Sequence, residues 1–391
     1  LAESTSAVKA LFTGGGTAGH VTPNLALMER LVGSGCDVVY VGSPGGIERD
    51  IVSAAGHRFV GVQSGKLRRY FSLRNAVDPF RLVVGLIQAL FVCVAERPDV
   101  VFSKGGYVAV PVVYAAWLLR IPVIAHESDV TPGLANRLTF RCCRYLCLNW
   151  SQSQEYLPEG FSRDRIVVTG SPVRRAISEA DPVRARQRFH LDERPLLLVF
   201  GGSLGARTIN ESVRESLPRL LGSFQVLHVV GAGNLVDVAD LNALFSPDVS
   251  PGLSPDLSTD RATDLRDYQQ HEYLDEGFGD ALAAADVVLC RAGANSIYEL
   301  LVTRTPHLLV PLPARASRGD QLVNARTFTE LGYSRVLDES DLTSRALTDA
   351  LTAVFHARDE IKSAMAAFAV PESVTVITGL MREVAGWHTD I

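Results

Sequence analysis

The sequence predicts an α/β protein built from two parallel-sheet domains in succession. Three observations carry this. Short Val- and Ile-rich runs alternate with helix-like segments along both halves of the chain, which implies sheets covered on both faces. The pattern pauses near Gly170-Ser171-Pro172 and then begins again. In each half the first strand runs straight into a glycine-rich turn, at Gly14-Gly15-Gly16 and at Gly201-Gly202. The 391 residues fit two domains or slightly more, at about 150 residues each.

In the first half the expected strands are Val8–Phe12, Asp37–Val41, Arg58–Val62, Val100–Ser103, Pro122–Ala125, Tyr145–Leu148 and Ile166–Thr169. The helix after the first strand, Gly46–Ala55 and Pro79–Ala95 supply crossovers. The turn Gly14 to Pro23 carries four glycines, whose φ > 0 backbone brings N–H groups close to a ligand. The helix N-terminus that follows favours an anion. His20, between Thr17 and Thr22, adds an imidazole and two hydroxyls at the same place. Gly14, Gly16 and Gly19 satisfy GxGxxG, but a dinucleotide site needs an acid about 20 residues on, at the end of the second strand. That strand ends Tyr40-Val41-Gly42-Ser43 and has none. A P-loop fails as well, since no Gly-Lys-Ser/Thr closes the turn.

Next, Ser103-Lys104-Gly105-Gly106-Tyr107 repeats the strand-to-glycine-turn arrangement, either as a plain helix entrance or as a second loop on the same sheet edge. The strand Pro122–Ala125 then delivers His126, Glu127 and Asp129 to its carboxyl end. His126 and Glu127 read as ligand-facing groups or as a buried pair, and Asp129 as a ligand contact or a helix cap. The basic, aromatic stretch Lys66-Leu67-Arg68-Arg69-Tyr70-Phe71, with Arg74 and Arg81, precedes the apolar helix Leu82–Ala95. Such a helix is core, or it docks on an anionic lipid surface, and both readings can hold for different faces.

The second half repeats the logic. Strand Leu196–Phe200 enters Gly201–Ala206 and a helix through Asn210–Leu221, and further strands are Gln225–Val230, Asp286–Cys290, Leu308–Pro311 and Ser334–Leu337. From 234 to 270 the chain is rich in Ser, Pro and Asp and reads as a mobile surface excursion. Arg291-Ala292-Gly293-Ala294-Asn295-Ser296 opens a helix whose small residues admit a diphosphate. Glu299, about one turn in, either accepts both hydroxyls of a ribose or complements the helix dipole. Gly319-Asp320-Gln321 offers a side-chain amide after another strand end. Both halves are therefore Rossmann-like, and ligands of such sheets bind at the carboxyl ends of the strands, so two facing domains create a cleft.

Composition excludes several classes. A formal net charge of −5 opposes bulk nucleic-acid binding. The six cysteines show no metal or disulfide rhythm and read as reduced thiols of a cytosolic protein. No apolar stretch reaches the ~20 residues of a spanning helix, and the polar start, Leu1 to Ser6, reads as a tail rather than a signal peptide. Asp-x-Asp is missing, so a metal clamp built on that pair of carboxylates has no evident site.

Taken in order, Gly14–Pro23, Ser103–Tyr107, His126–Asn136, Gly170–Arg174, Gly201–Ala206, Arg291–Glu299 and Gly319–Asn324 resemble the motifs of the MurG family. These are the peptidoglycan N-acetylglucosaminyltransferases that convert lipid I to lipid II. The resemblance covers nearly the whole chain, and His-Glu-Ser-Asp and Ala-Ser-Arg-Gly-Asp-Gln are nearest to its Gram-positive branch. It implies a GT-B fold: an acceptor- and membrane-associated domain over 1–172, a UDP-sugar domain over 173–370 containing the 234–270 insertion, and a C-terminal helix over 371–391 returning to the first domain. It also implies inverting transfer from UDP-N-acetylglucosamine to the 4-hydroxyl of an undecaprenyl-diphosphate-linked acceptor. The expected setting is the cytoplasmic face of an anionic membrane, with no cofactor, no metal and no nucleic acid.

By position, Ser203, Leu274, Ala294, Asn295, Ser296, Glu299, Gln321 and Arg174 would contact the donor, with Thr17, Ala18, Gly19 and Asp129 completing its pocket. Gly105, Gly106 and Tyr107 would bind acceptor, and His20 and Asp129 are the catalytic candidates, His20 as base. Asp129 stands where many members have Asn, Ser171 replaces a common Asn and Ala18 a Gly. A transferase for another lipid-linked or natural-product acceptor would keep the same donor motifs. Competing readings are a UDP-N-acetylglucosamine 2-epimerase on the same fold, a non-catalytic sugar-nucleotide binder and a dinucleotide oxidoreductase.

Overall fold

Strands that are apolar at every position, rather than at every second one, form sheets buried on both sides. The computed structural model describes residues 8–65, 78–202, 205–243, 267–274, 277–315 and 318–387. In the first half β1 (Lys9–Thr13), β2 (Asp37–Gly42), β3 (Arg58–Gly61), β4 (Val100–Ser103), β5 (Val123–Glu127), β6 (Tyr145–Leu148) and β7 (Ile166–Val168) are all parallel. Their order is β3-β2-β1-β4-β5-β6-β7. Alternate side chains separate cleanly onto the two faces. Leu11, Val39, Val41, Val101, Val123 and Ala125 join Ala89 and Cys93 of helix Asp78–Glu96 and Val112 and Val113 of helix Ala109–Leu118. Phe12, Val38, Tyr40, Phe102 and Ile124 face Leu27, Met28 and Leu31 of helix Thr22–Val32.

Ile377 and Met381 of the last helix, Ser373–Ala385, are fully buried in that second core. Tyr145 also donates a 2.6 Å hydrogen bond to Glu383 Oε1. The chain accordingly falls into two units, Leu1–Arg174 with Pro371–Ile391, and Arg175–Val370.

Helix Asp78–Glu96 shows both faces that its sequence allowed. Leu86, Ala89, Leu90 and Cys93 pack on the sheet, whereas Val83, Ile87, Phe91 and Val94, spaced at helical intervals, face solvent, Phe91 at 72% exposure. Trp117 and Leu118, at the end of the neighbouring helix Ala109–Leu118, are exposed too. The basic stretch from Lys66 to Arg74 lies outside the described residues.

In the second unit β8 (Leu196–Phe200), β9 (Gln225–Val229), β10 (Tyr268–His271), β11 (Val287–Cys290), β12 (His307–Leu309) and β13 (Arg335–Val336) form a parallel sheet of order β10-β9-β8-β11-β12-β13. The edge strand β10 corrects the reading of 234–270 as excursion alone. Tyr268-Gln269-Gln270-His271 has no apolar run to betray a strand, because an edge position needs few buried side chains. Its Gln270 Nε2 donates to the Val236 carbonyl, and Val236 N donates back to Gln270 Oε1 at 3.3 Å, so the start of the segment is tied down as well. Helix Val238–Ala243 follows, and 244–266 lies outside the described residues.

Candidate active site

In both sheets the strand order runs outward from a central pair, β1 beside β4 and β8 beside β11. Connections leave such a pair in opposite directions, so a crevice opens at its carboxyl end. The glycine turns follow those four strands.

In the first unit the turns after β1 and β4 pack backbone against backbone. Gly16, Gly105 and Gly106 have φ of +93°, +87° and +82°. A Cβ on Gly106 would run into the Gly15 carbonyl, and one on Gly15 would lie 2.5 Å from Glu48 Oε1. Gly105 and Gly106, expected as acceptor contacts, are also demanded by packing, Gly106 by the Gly15 carbonyl and Gly105 by the Asn136 side chain. The Tyr107 ring covers Gly16, where a Cβ would come within 3.0 Å of Cε1. His20 ends the short 3-10 turn Ala18–His20; its Nδ1 lies 2.9 Å from Thr17 Oγ1 and its backbone N donates to the Thr17 carbonyl. Thr17 therefore fixes the imidazole, and Gly19 and His20 remain partly exposed on the turn.

Three buried groups beneath these turns escaped the sequence reading. Tyr40 donates to the Gly14 carbonyl at 2.8 Å, and burial pushes its phenol far up, so it remains a neutral donor. Glu48, fully buried at the start of helix Ile47–Ala54, accepts from Ser43 N at 2.9 Å and from Gly16 N at 3.5 Å. An acid opening the helix after the second strand was the available signal. Lys104, 1% exposed, places Nζ 2.7 Å from His126 Nδ1. His126 Nε2 lies 2.9 Å from the Gly170 carbonyl, which can only accept. The imidazole proton therefore sits on Nε2, and Nδ1 accepts from Lys104. Burial and the neighbouring ammonium hold His126 neutral.

His126 thus pairs with Lys104, not with Glu127. The Glu127 carboxylate instead accepts from Asp129 N at 3.1 Å, Gly133 N at 2.9 Å and Asn136 Nδ2 at 2.9 Å, and so shapes the loop that follows β5. Asp129 is partly buried on that loop, held through its carbonyl by Ser153 Oγ at 3.3 Å. It is no helix cap: the next helix, Leu134–Thr139, starts from Gly133. Arg174 ends the first unit's segment, partly buried.

The second unit holds a cavity of about 400 Å³ at its own switch point. Gly201, Gly202 and Gly205 line it after β8, together with Arg207 and Thr208 of helix Arg207–Leu220; Arg291, Gly293 and Ser296 line it after β11. Gly205 (φ +74°) has no room for a Cβ beneath the Val230 carbonyl, which locks the first of these turns. Two helices begin at the cavity, from Ala206 and Gly293, and the positive ends of their dipoles favour an anion there. Gln321 reaches in from helix Asp320–Glu330, its Oε1 accepting from Leu312 N at 3.0 Å. Of the expected donor residues, Ser296 and Gln321 line this cavity. Ala294, Asn295 and Glu299 stand on the same helix, Ala294–Thr303, with Ala294 buried and Glu299 partly so; Leu274 is partly buried just after β10. Ser203 lies outside the described residues, as does the side chain of Ala18. Arg291 and Glu339, which the residue-level reading passed over, line the cavity as an ion pair. Among the described residues no group of three His, Cys, Asp or Glu is placed to hold a metal ion.

Comparison with known proteins adds a lineage to this geometry. The glycosyltransferase family 28 N-terminal domain matches residues 10–145, and the family 28 C-terminal domain matches 196–377. A Legionella pneumophila (strain Lens) protein is 42% identical over 97% of this chain and 98% of its own. It is named UDP-N-acetylglucosamine–N-acetylmuramyl-(pentapeptide) pyrophosphoryl-undecaprenol N-acetylglucosamine transferase. A Clostridium botulinum (strain Langeland) protein of the same name is 42% identical over 96% of this chain and 99% of its own. Among solved structures, Acinetobacter baumannii MurG superposes with a TM-score of 0.70 at 24% identity, covering 96% of this chain and 99% of that one. A putative UDP-N-acetylglucosamine 2-epimerase from Listeria monocytogenes gives 0.62 at 13% identity, covering 98% of each. Both structural likenesses are likenesses of fold, the two-domain GT-B arrangement.

Lys104 gives the first unit a pH signature. Burial lowers its pKa from 10.5 to about 7, while the unfolded chain keeps its proton up to the ordinary value. Between these limits the unfolded state binds more protons, so stability rises with pH; below them the fold must bury an ammonium. Lys104→Met removes that burden. Its melting temperature relative to the wild type is expected to be highest on the acid side of pH 7 and to fall as pH rises toward 10.5. A difference that is flat in pH contradicts a buried, titrating lysine.

Proposed function

The chain belongs to glycosyltransferase family 28 and to its UDP-N-acetylglucosamine–N-acetylmuramyl-(pentapeptide) pyrophosphoryl-undecaprenol N-acetylglucosamine transferases, and from that premise we propose how its residues divide the reaction. It is a glycosyltransferase that moves N-acetylglucosamine from UDP-N-acetylglucosamine to lipid I, forming lipid II for peptidoglycan. The observation that carries this is 42% identity along 97% of the chain to proteins so named. An epimerase shares the fold at only 13% identity, and the oxidoreductase reading lacks its ribose-binding acid.

Transfer to a sugar hydroxyl needs a base, an electrophilic anomeric carbon and a stabilised leaving group. The second unit's cavity suits the leaving group: two helix N-termini, Arg291, Ser296 and Gln321 offer preorganised donors to the developing charge on UDP. Glu299, partly buried on helix Ala294–Thr303, is the candidate for the ribose hydroxyls. His20, steadied by Thr17, is the candidate base for the acceptor 4-hydroxyl. In-line attack opposite the departing UDP inverts the anomeric centre.

A hydroxyl on a long lipid must reach a protein without a spanning helix among its described residues. The outward stripe of helix Asp78–Glu96, and Trp117 and Leu118 at the end of the helix packed against it, are exposed apolar side chains of the kind that meets membranes. This face is proposed to rest on the anionic leaflet that carries the acceptor.

Two measurements test the assignment. With UDP-N-acetylglucosamine and a lipid I analogue, His20→Ala is expected to lower kcat by about 100-fold or more while UDP affinity stays within a few-fold; undiminished turnover removes His20 from the chemistry. Phe91→Glu with Val94→Glu is expected to weaken co-sedimentation with anionic phospholipid vesicles by roughly tenfold or more, the loss of buried apolar contact. Unchanged sedimentation contradicts docking through this face.

A further inference from the structure

A cavity that receives a diphosphate is an odd place for a carboxylate. Glu339 nevertheless lines it, in the short 3-10 turn Glu339–Asp341 that follows β13. Its Oε2 lies 2.5 Å from Arg291 Nη2, with side-chain exposures of 18% for the acid and 11% for the arginine. Arg291 Nη1 meanwhile donates to the Val310 carbonyl at 3.1 Å, just beyond β12. The guanidinium is therefore held from two sides, and one of its partners is an anion sharing the ligand's space. Arg207, the other arginine lining the cavity, differs: its Glu211 partner at 2.7 Å is one helical turn away, and both side chains are more than half exposed.

We propose that Glu339 is a positioning residue that tempers the grip of Arg291 on the UDP diphosphate, so that the product leaves after each transfer. This rests on the reading of the cavity as the UDP-sugar site. The physics is a competition for one cation. Beside Glu339, Arg291 is largely neutralised, and an arriving diphosphate meets a paired charge and a carboxylate of its own sign. Without that carboxylate, the same guanidinium and the two helix N-termini face the phosphates unopposed. Donor and product carry the same diphosphate, so tighter donor binding comes with slower product release, and an acid at this position sets the balance.

The test is calorimetric binding of UDP and of uridine to the full-length wild type and to Glu339→Gln, which keeps a hydrogen-bonding side chain and removes the charge. UDP is expected to bind roughly tenfold tighter to Glu339→Gln, with uridine unchanged, because the effect acts only through phosphate charge. In steady state the KM for donor and the inhibition constant for UDP are expected to fall together, and kcat to fall wherever release limits turnover. Equal or weaker UDP binding by a variant that melts with the wild type overturns the proposal. So does a parallel shift of UDP and uridine, which marks a purely structural role. Glu339→Asp, which draws the carboxylate back by one methylene, is expected to tighten UDP by a smaller factor and decides the matter if the amide variant does not fold; no tightening there overturns the proposal equally. Should the wild type itself fail to bind UDP, the reading of the cavity falls and this inference with it.

Discussion

Both crevices of this chain follow from one topological constraint, the reversal of strand order at β1/β4 and again at β8/β11. At a reversal, the connections from adjacent strands leave toward opposite faces of the sheet, and nothing fills the space between their first residues. The chain must turn sharply there, and at Gly16, Gly105, Gly106 and Gly205 it does so with φ values that residues bearing a Cβ rarely adopt. Close approach is the second demand. The Gly15 carbonyl occupies the space a Cβ on Gly106 would need, so the first unit's two turns lean on one another and define the crevice together. Fully buried parallel strands make this possible, because they leave backbone N–H groups and helix N-termini as the polar features of the sheet's carboxyl edge.

Those turns are held from beneath by buried charged and polar groups. Tyr40 supports the Gly14 carbonyl, and Glu48 takes the backbone N–H groups of Ser43 and Gly16. Glu127 gathers three donors from the loop after β5. Lys104, His126 and the Gly170 carbonyl form a chain that links the glycine turn after β4 to the end of the first unit's sheet. Buried ionisable groups are costly, and each of these is satisfied by hydrogen bonds or shifted toward its neutral form. The stabilisation they add is smaller than the order they impose, since a turn with no side chains of its own has little else to fix it. In the second unit the Arg291–Glu339 pair does similar work for a guanidinium instead of a backbone.

The sheets were legible in the sequence because burial on both faces writes itself as unbroken Val, Ile and Leu runs, and every expected strand formed within a residue or two. β10 was not, since Tyr-Gln-Gln-His at a sheet edge carries no such run. Glycine turns announced the crevices, but not why each glycine is there. Gly106, expected to contact the acceptor, has a packing reason as well: a Cβ there would meet the Gly15 carbonyl. The supporting groups were hardest to see. Glu48, Lys104 and Glu339 act on backbone groups or on side chains distant in sequence, and periodicity carries no trace of such pairings. His126 and Glu127 were noticed as neighbours, yet opposite sides of one strand sent them to different partners. The family motifs marked Ser296 and Gln321 as donor contacts; both line the second unit's cavity, and the motifs gave no sign of the acid standing among them.

In the proposed division of the reaction, the second unit's switch-point cavity, not the first unit's GxGxxG-like turn, holds the nucleotide diphosphate. A crystal structure of the full-length protein with UDP tests it most directly. Diphosphate density is expected against Arg291, Ser296 and the Gly201–Gly202 backbone. Diphosphate density seated on Gly14 to His20, with that cavity empty, contradicts it.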